Sequence, residues 1–220
     1  MSEANQDGRY ALLRPVILAH PALFEPKQFK KNGKPTGEPK YSGTFVLPAD
    51  SEDLKAMKTL AAKVARAKWP TRSFADLKFP FASGDKLADQ RKAKSGKDDG
   101  EYQRGKVVVQ SRSKFAPRLA VIENGKIVDL DDDALKAKYR GKFFFGAEVL
   151  AEFNFVAYEG GANPDGVTAY MNLVLATGKG TRIAGGSAAS EVFKGYMGSA
   201  SAEDPTGGGT LVDLDDEIPF

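Results

Sequence analysis

The segment between Pro48 and Pro70 has the spacing of apolar residues that an amphipathic helix requires. Its apolar positions share one helical face: Leu54, Met57, Leu60, Ala61, Val64 and Ala65. Asp50 or Ser51 can cap the first turn, and the acids that follow suit the positive end of the helix dipole. Pro70 ends the run because it clashes with the preceding turn. The pattern predicts one main helix.

Residues 142–176 carry the clearest strand pattern in the sequence. Apolar residues alternate first at Phe143, Phe145, Ala147, Val149, Ala151, Phe153, Phe155 and Ala157, and then at Val167, Ala169, Met171, Leu173 and Leu175. Alternation is the period of a strand with one face on a core. Asn163-Pro164-Asp165-Gly166, between the two runs, is a turn sequence. We predict a long antiparallel hairpin.

Weaker patterns predict the remaining elements. We expect strands at residues 9–19, 41–47 and 107–111, a short hairpin over 118–128 around Asn124-Gly125, and a short helix over 131–139. Residues 24–40 are interpreted as a polar connection with a turn at Asn32-Gly33. Residues 84–106 are highly charged and poor in apolar residues, and we interpret them as a mobile loop.

The composition excludes several kinds of chemistry. The 220 residues include no cysteine and one histidine, His20, so disulfides, Cys-based zinc sites and thiol catalysis are excluded. No Gly-Lys pair is followed by Ser or Thr, as in loops that bind nucleotide phosphates. The acids at 129–133 lack the pattern of a calcium loop and are interpreted as a helix start. No apolar run approaches the ~20 residues of a membrane span. We expect no catalytic residue, metal, cofactor, small-molecule substrate or membrane partner.

The charge of the chain is unevenly distributed. The net charge is +3, but residues 200–220 contain no Lys or Arg and six acids: Glu203, Asp204, Asp213, Asp215, Asp216 and Glu217. Without these acids the rest of the chain carries about +9. A basic body with an acidic tail is typical of a nucleic-acid-binding protein whose tail competes with its ligand. Residues 199–209, rich in Gly, Ser, Ala and Thr, are expected to form a flexible linker.

Basic and aromatic residues are interleaved at several places. Single-stranded nucleic acid needs cations for its phosphates and flat rings for its unpaired bases. The segment Arg112–Arg118 supplies both directly after a strand, and four shorter segments repeat the pattern. We predict a binding surface formed by Lys30, Lys31, Arg72, Tyr102, Arg104, Lys106, Arg112, Lys114, Phe115, Arg118 and Tyr158.

Most aromatic residues of a protein serve its core. We expect core packing for Phe143, Phe145, Phe153 and Phe155 on the alternating face, and for Trp69, Phe79 and Phe81 near prolines. Phe115, Tyr102 and Tyr158 have polar neighbours, so a core role and a binding role both stay open for them.

The sequence ends in a run of acids followed by an apolar Ile-Pro-Phe. This octapeptide, residues 213–220, resembles the acidic tip of bacterial single-stranded DNA-binding proteins, which recruits replication and repair enzymes. The resemblance implies recruitment of replication or recombination proteins through Asp213, Asp215, Asp216, Glu217, Ile218, Pro219 and Phe220. An accidental acidic tail is the alternative.

A second resemblance extends over most of residues 9–196. The stretches Gly105–Arg118, Tyr139–Lys142, Asp165–Asn172 and Arg182–Gly186 resemble the phage single-stranded DNA-binding protein family with a modified OB-fold. This likeness implies a mostly β domain over residues 1–196, an OB-fold-like five-stranded antiparallel barrel with one main helix and enlarged loops. A flexible, disordered acidic tail over residues 197–220 would follow.

The same likeness implies a function. The chain would be a non-enzymatic protein that coats single-stranded DNA, without sequence specificity, during phage replication, recombination and repair in the cytoplasm of the infected host. Two other functions stay open: a carboxylate-dependent nuclease, and a phage interaction protein whose body binds no nucleic acid. Oligomeric state, site size and DNA versus RNA preference stay open as well.

Overall fold

The computed structural model of the chain describes residues 8–31, 34–96, 98, 100–161 and 164–183, without the side chains of residues 29–31 and 34. In this part of the chain the strands are β1 (Arg9–Ala11), β2 (Val16–Lys31), β3 (Lys34–Pro48), β4 (Phe81–Ser83), β5 (Lys106–Ser113), β6 (Arg118–Glu123), β7 (Lys126–Asp129), β8 (Ala147–Tyr158) and β9 (Gly166–Gly180). The α-helices are α1 (Glu52–Lys68), α2 (Gly84–Ser95) and α3 (Asp133–Tyr139). The predicted domain boundary at 196/197 and the acidic tip lie outside the described residues.

Five strands close into a barrel in the order β2, β3, β5, β9, β8 and back to β2. Neighbours in the ring are antiparallel, except that β5 and β9 meet in parallel at Ser111 and Ala169. This arrangement confirms the predicted OB-fold-like five-stranded barrel, with one parallel closing pair.

The remaining strands extend the barrel wall. β1 pairs with β8, and the predicted hairpin around Asn124-Gly125 is confirmed as β6 and β7, which continue the sheet from β9. β4 pairs with the first half of β5, and Lys78 forms a parallel bridge with Gly166 at the start of β9. The segment 78–83 therefore lies between β5 and β9.

The predicted long hairpin is β8 and β9, but its first strand begins later than predicted. Gly146 has a φ of 103°, and a side chain there would meet the carbonyl oxygen of Thr181. The alternating run is therefore broken between Phe145 and Ala147. In β9 the register shifts at Asn172, so that Val174 and Ala176 are fully buried, where alternation had predicted Leu173 and Leu175. Leu175 is buried as well, at 8% exposure, but Leu173 is not.

Residues 24–31 and 34–40 are strand residues where the sequence predicted a polar connection. They form the outer arms of β2 and β3, which pair as far as Lys31 and Lys34. The arms are largely exposed, so no one-sided apolar pattern was present to reveal them. The predicted turn at Asn32-Gly33 lies outside the described residues. The predicted first strand, 9–19, is in turn split into β1 and β2 at residues 12–15.

The predicted main helix is confirmed as α1. Ser51 accepts a hydrogen bond from the amide of Leu54 at 3.3 Å and caps the first turn. The predicted apolar face packs on the barrel core, where Phe45 and Phe153 meet edge to face at 4.8 Å. Asp53 is also buried, at 4% exposure, and accepts hydrogen bonds from the Tyr10 hydroxyl and the amides of Leu13 and Arg14.

The interpretation of residues 84–106 as a mobile loop is wrong for residues 84–95, which form α2. Ser83 caps α2, and Gly96 ends it in a left-handed conformation with a φ of 71°. The helix has no apolar face and buries only Gly84 and Ala88, which explains why a hydrophobic pattern did not reveal it. The predicted short helix over 131–139 is confirmed as α3. No helix in the described ranges is long and apolar enough to cross a membrane.

Candidate nucleic-acid interface

An open groove crosses the barrel where β5 and β9 separate beyond Ser111. Its volume is about 1140 Å³, above the ~300–1,000 Å³ of most small-molecule sites. The walls come from β3, β5, β8, β9 and the segment 78–82. Gly166 permits the close approach of this segment, because a side chain there would lie 2.1 Å from the carbonyl oxygen of Lys78. The size and shape fit a chain-like ligand better than a small molecule.

Two exposed aromatic rings, Phe115 and Tyr170, line the groove. Phe115 follows β5, and its amide donates a hydrogen bond to the Ser113 hydroxyl at 2.9 Å, which fixes the turn. The Phe115 side chain is 82% exposed, which excludes a core role. Tyr170 on β9 is 37% exposed, and Tyr158 at the end of β8 also lines the groove. Such rings can stack on unpaired bases.

Phe79 and Phe81 line the groove and also pack on the core. Phe81 stacks on the buried Phe155 with ring centres 6.1 Å apart. Phe79 and Phe81 are themselves half-buried and pack against the core. Packing against the barrel, the role expected for them, is therefore confirmed. Their exposed edges still form part of the groove surface.

Four cations line the groove: Lys40, Lys78, Arg112 and Lys114. Among the described residues that line it, none is Asp or Glu. Outside this lining, the carboxylate of Glu38 forms an ion pair with Lys114. The hydrogen bond from Lys114, and then its charge, hold the pKa of Glu38 below its usual value. The groove is thus a positively charged channel of the kind that attracts a polyanion.

Three amide side chains complete the lining, namely Gln110, Asn154 and Asn172. The Oδ1 atom of Asn154 is buried without a hydrogen-bond partner among the described residues. Asn172 is the residue at which the register of β9 shifts, and such bulges often redirect a side chain at a functional site. These groups can bind base edges or water without demanding one sequence.

The structure brings together four of the predicted contact residues. Arg112, Lys114, Phe115 and Tyr158 all line the groove. Lys30 and Lys31 lie in the outer arm of β2, but their side chains are outside the described part of the structure.

Two predicted arginines stand beside the groove. Arg72 forms an ion pair with Asp165, whose backbone carbonyl accepts a hydrogen bond from the amide of Lys78 at 2.9 Å. Arg118 faces Leu173 of β9 and forms an ion pair with Asp129 at 3.3 Å.

The other three predicted contacts belong to the side of the barrel that holds α2. Tyr102 packs against Phe145 at 5.1 Å, and its hydroxyl lies 3.2 Å from Nε2 of His20. Arg104 forms ion pairs with Asp89 and Glu101, and Lys106 donates to the carbonyl of Tyr102. None of the three lines the groove. In the described structure they fasten α2 and its neighbouring turn.

Among the cations and exposed rings of the groove, three were absent from the predicted set: Lys40, Lys78 and Tyr170. A signal for Tyr170 was present, because it alternates with the core residues Ala169 and Met171 and so had to point outwards. Lys40 and Lys78 could be placed only once the strand pairing was known.

The described residues contain no group of three or more His, Asp or Glu side chains placed to hold a metal ion. His20 contacts Arg91, Tyr102 and Phe145. The described groove residues offer charge and stacking surfaces.

The family model described as the ssDNA-binding protein of Enterobacter phage Enc34 matches residues 11–205. The fold is similar to the single-stranded DNA-binding protein from bacteriophage Enc34 in complex with ssDNA, with a TM-score of 0.60 and 18% identity over 80% of this chain and 90% of that chain. A second structure of the phage protein gives a TM-score of 0.58 and 17% identity over 84% and 88% of the two chains.

A C-terminally truncated form of the same phage protein gives a TM-score of 0.57 and 18% identity, over 80% of this chain and 88% of that chain. At these identities the structural likeness shows the fold. No curated protein sequence matches the chain significantly. The family model spans most of the sequence, but the acidic tip at residues 213–220 lies beyond the matched range. The chain belongs to the family of phage single-stranded DNA-binding proteins that the Enterobacter phage Enc34 protein represents.

Proposed function

We propose that this protein binds single-stranded DNA in the groove between β5 and β9, without reading its sequence. The observation that carries the proposal is the exposure of Phe115 and Tyr170 in a groove lined by four cations and no described acid. Rings stack on any unpaired base, and cations bind any phosphate. This lining can therefore distinguish single-stranded from duplex DNA without distinguishing sequences. Family membership and the DNA complex of the phage Enc34 protein support the same function.

Fluorescence anisotropy with labelled poly-dT and with a duplex of equal length tests the proposal. We expect poly-dT to bind more tightly than the duplex. A plot of log affinity against log salt concentration should have a slope of about −0.7 for each neutralised phosphate. Equal binding of both ligands at modest ionic strength would overturn the proposal. Absence of binding to either would favour the interaction protein whose body binds no nucleic acid.

We propose further that the protein acts without catalysis, in the cytoplasm of the infected host. Its role would be to coat single-stranded DNA exposed during phage replication, recombination and repair. Incubation of labelled DNA with the protein and Mg²⁺ tests this point, since a nuclease would shorten the DNA. The grooved surface and the family of the chain support a binding role.

The acidic tip is proposed to recruit replication or recombination proteins through Phe220 and the acids before it. The support is the sequence itself, where an apolar end follows a run of charge. A partner would need an apolar pocket with a basic rim. Binding of purified replication proteins to the full chain and to a Phe220→Ala variant tests this, and equal binding would contradict it.

A further inference from the structure

Exposed aromatic rings gather on one side of the molecule. Among the described residues the exposed large hydrophobic side chains include three aromatic rings, those of Phe74, Phe115 and Tyr170. Two of them line the groove. The third, Phe74, is 36% exposed and meets Phe79 edge to face with ring centres 5.9 Å apart. Because Phe79 lines the groove, the Phe74 ring lies next to the groove, one ring away from its lining.

Phe74 is held in place by its local structure. It opens a short 3-10 turn, Phe74–Asp76, which the Ser73 hydroxyl caps by accepting the amide of Ala75 at 3.3 Å. The turn closes through the amide of Leu77, which donates to the carbonyl of Phe74 at 3.2 Å, and the Leu77 side chain is buried in the core. The ring is therefore a fixed surface and costs little to order on binding.

Arg66 places a cation at this ring. Its guanidinium carbon lies 4.2 Å from the centre of the Phe74 ring. Nη1 of Arg66 donates to the carbonyls of Pro70 at 3.1 Å and Arg72 at 3.0 Å, which orient the group without neutralising its charge. Within the described ranges no carboxylate pairs with Arg66.

Two other cations of this region are paired with carboxylates. Arg72 is paired with Asp165, and Lys68 is paired with Glu159 at 2.9 Å. Asp76, at the end of the 3-10 turn, is an exposed carboxylate. Arg66 is thus the cation at this ring that is positioned by backbone carbonyls and keeps its full charge for a ligand.

We infer that Phe74 and Arg66 form a second subsite, which takes a further nucleotide of the same DNA strand beyond Phe79. This inference rests on the proposed function. The base packs on the exposed part of the Phe74 ring or on the guanidinium plane, and the phosphate pairs with Arg66. The subsite lengthens the stretch of DNA that one protein covers.

The length dependence of binding tests the subsite. Labelled dT oligonucleotides of increasing length are titrated with the full chain and with Phe74→Ala at one salt concentration. The two proteins should bind the shortest ligands equally, because these fill only the groove. Longer ligands should bind Phe74→Ala about five- to tenfold more weakly, at the lower end of what one stacking ring contributes.

Three further variants separate binding from a merely structural role. Phe74→Tyr keeps the ring and should bind long ligands as tightly as the natural protein. For long ligands, Arg66→Gln should make the slope of log affinity against log salt concentration shallower by about 0.7. For short ligands the slope should not change. Leu13→Ala is a matched control, because Leu13 is an apolar residue with 67% exposure. Its backbone amide donates to Asp53 in the first turn of α1, so Leu13 lies at the opposite end of that helix from Phe74.

These experiments distinguish failure of the subsite from failure of the proposed function. If the natural protein binds no oligonucleotide, the proposed function fails, and the subsite fails with it. If Phe115→Ala weakens binding at every length while Phe74→Ala binds like the natural protein, the subsite alone is overturned. An equal loss at all lengths for Phe74→Ala would also overturn it, since Phe74 would then act within the groove.

Discussion

The hydroxyl oxygen of Ser111 accepts a hydrogen bond from the backbone amide of Met171 at 2.9 Å. Both residues are buried, and the bond lies beside the one register pair that the described residues form between β5 and β9, Ser111 with Ala169. Direct pairing of β5 with β9 therefore depends on one backbone pair and one side chain, beside the indirect link through segment 78–83.

Replacing Ser111 with Ala should weaken this pairing. The amide of Met171 would be left buried without its partner, which costs about 1–3 kcal/mol of unfolding free energy. Urea denaturation measures the loss. Thr59→Ala is the control, because Thr59 is exposed on α1 and its loss should change stability by less than about 0.5 kcal/mol. Similar losses for both variants would contradict the assigned role.

Phe115→Ala should weaken DNA binding and leave the fold intact. The ring is 82% exposed, so its removal creates no cavity and the melting temperature should not change. Loss of one stacking ring should weaken poly-dT binding by roughly 1–3 kcal/mol. Anisotropy titration with Ile127→Ala as the exposed apolar control measures this. A variant that melts early but binds normally per folded molecule would show that the ring serves stability instead.

Glu38→Gln should strengthen DNA binding. The Glu38 carboxylate is paired with Lys114, a groove residue, and so competes with phosphate for it. We expect affinity to rise about two- to fivefold at low salt, and the gain to fade at high salt, where screening is strong. Glu25→Gln removes a comparable exposed carboxylate, paired with Arg140, and should leave affinity unchanged. Equal effects of the two changes would argue against a specific competition.

Acid pH should loosen α2 from the barrel. Nε2 of His20 lies 2.6 Å from Nη2 of Arg91 on α2 and therefore acts as an acceptor in the neutral ring. Burial, and then the charge of Arg91, hold the pKa of His20 below its ordinary value. The unfolded chain takes up a proton near pH 6.5, which the folded chain resists. The stability from this contact is therefore full above that pH and is lost as pH falls.

Two measurements check the His20 prediction. The chain has one histidine, so its NMR titration is unambiguous and should give a pKa below about 6.5. Hydrogen exchange in α2, corrected for intrinsic rates, should accelerate between pH 7 and pH 5, and His20→Gln should remove the pH dependence. A titration at or above the ordinary value would refute the assignment.

Removal of the acidic tail should raise DNA affinity. Residues 200–220 carry six acids and no Lys or Arg, against a body with a positive excess. A chain cut after Met197 should bind poly-dT more tightly than the full chain, most clearly at low salt. Equal affinities across a salt series would count against competition by the tail.

Much of the fold could be predicted where apolar residues mark one face. The face of α1 from Leu54 to Ala65 and the alternation in β8 gave the correct elements. α2 was missed because it is polar on all sides. Its caps, Ser83 and Gly96, together with the helix-forming residues between them, were the available signal.

The groove could be predicted only in part. Arg112, Lys114 and Phe115 were recognisable because they leave β5 together, so neighbours in sequence remain neighbours in space. Tyr102 and Arg104 have the same local pattern but face α2, and only the three-dimensional pairing of strands distinguishes the two cases. Tyr170 lies in β9, almost sixty residues further along the chain than the Arg112–Phe115 segment. Local composition cannot reveal that the two come together.

The separation of β5 and β9 beyond Ser111 has a consequence for how a ligand is loaded. In the described part of the chain the groove is open to solvent, so an internal stretch of polymer can be laid in from the side. No free end has to be threaded. A circular strand, or a gap with duplex on both sides, is then as accessible as an open terminus.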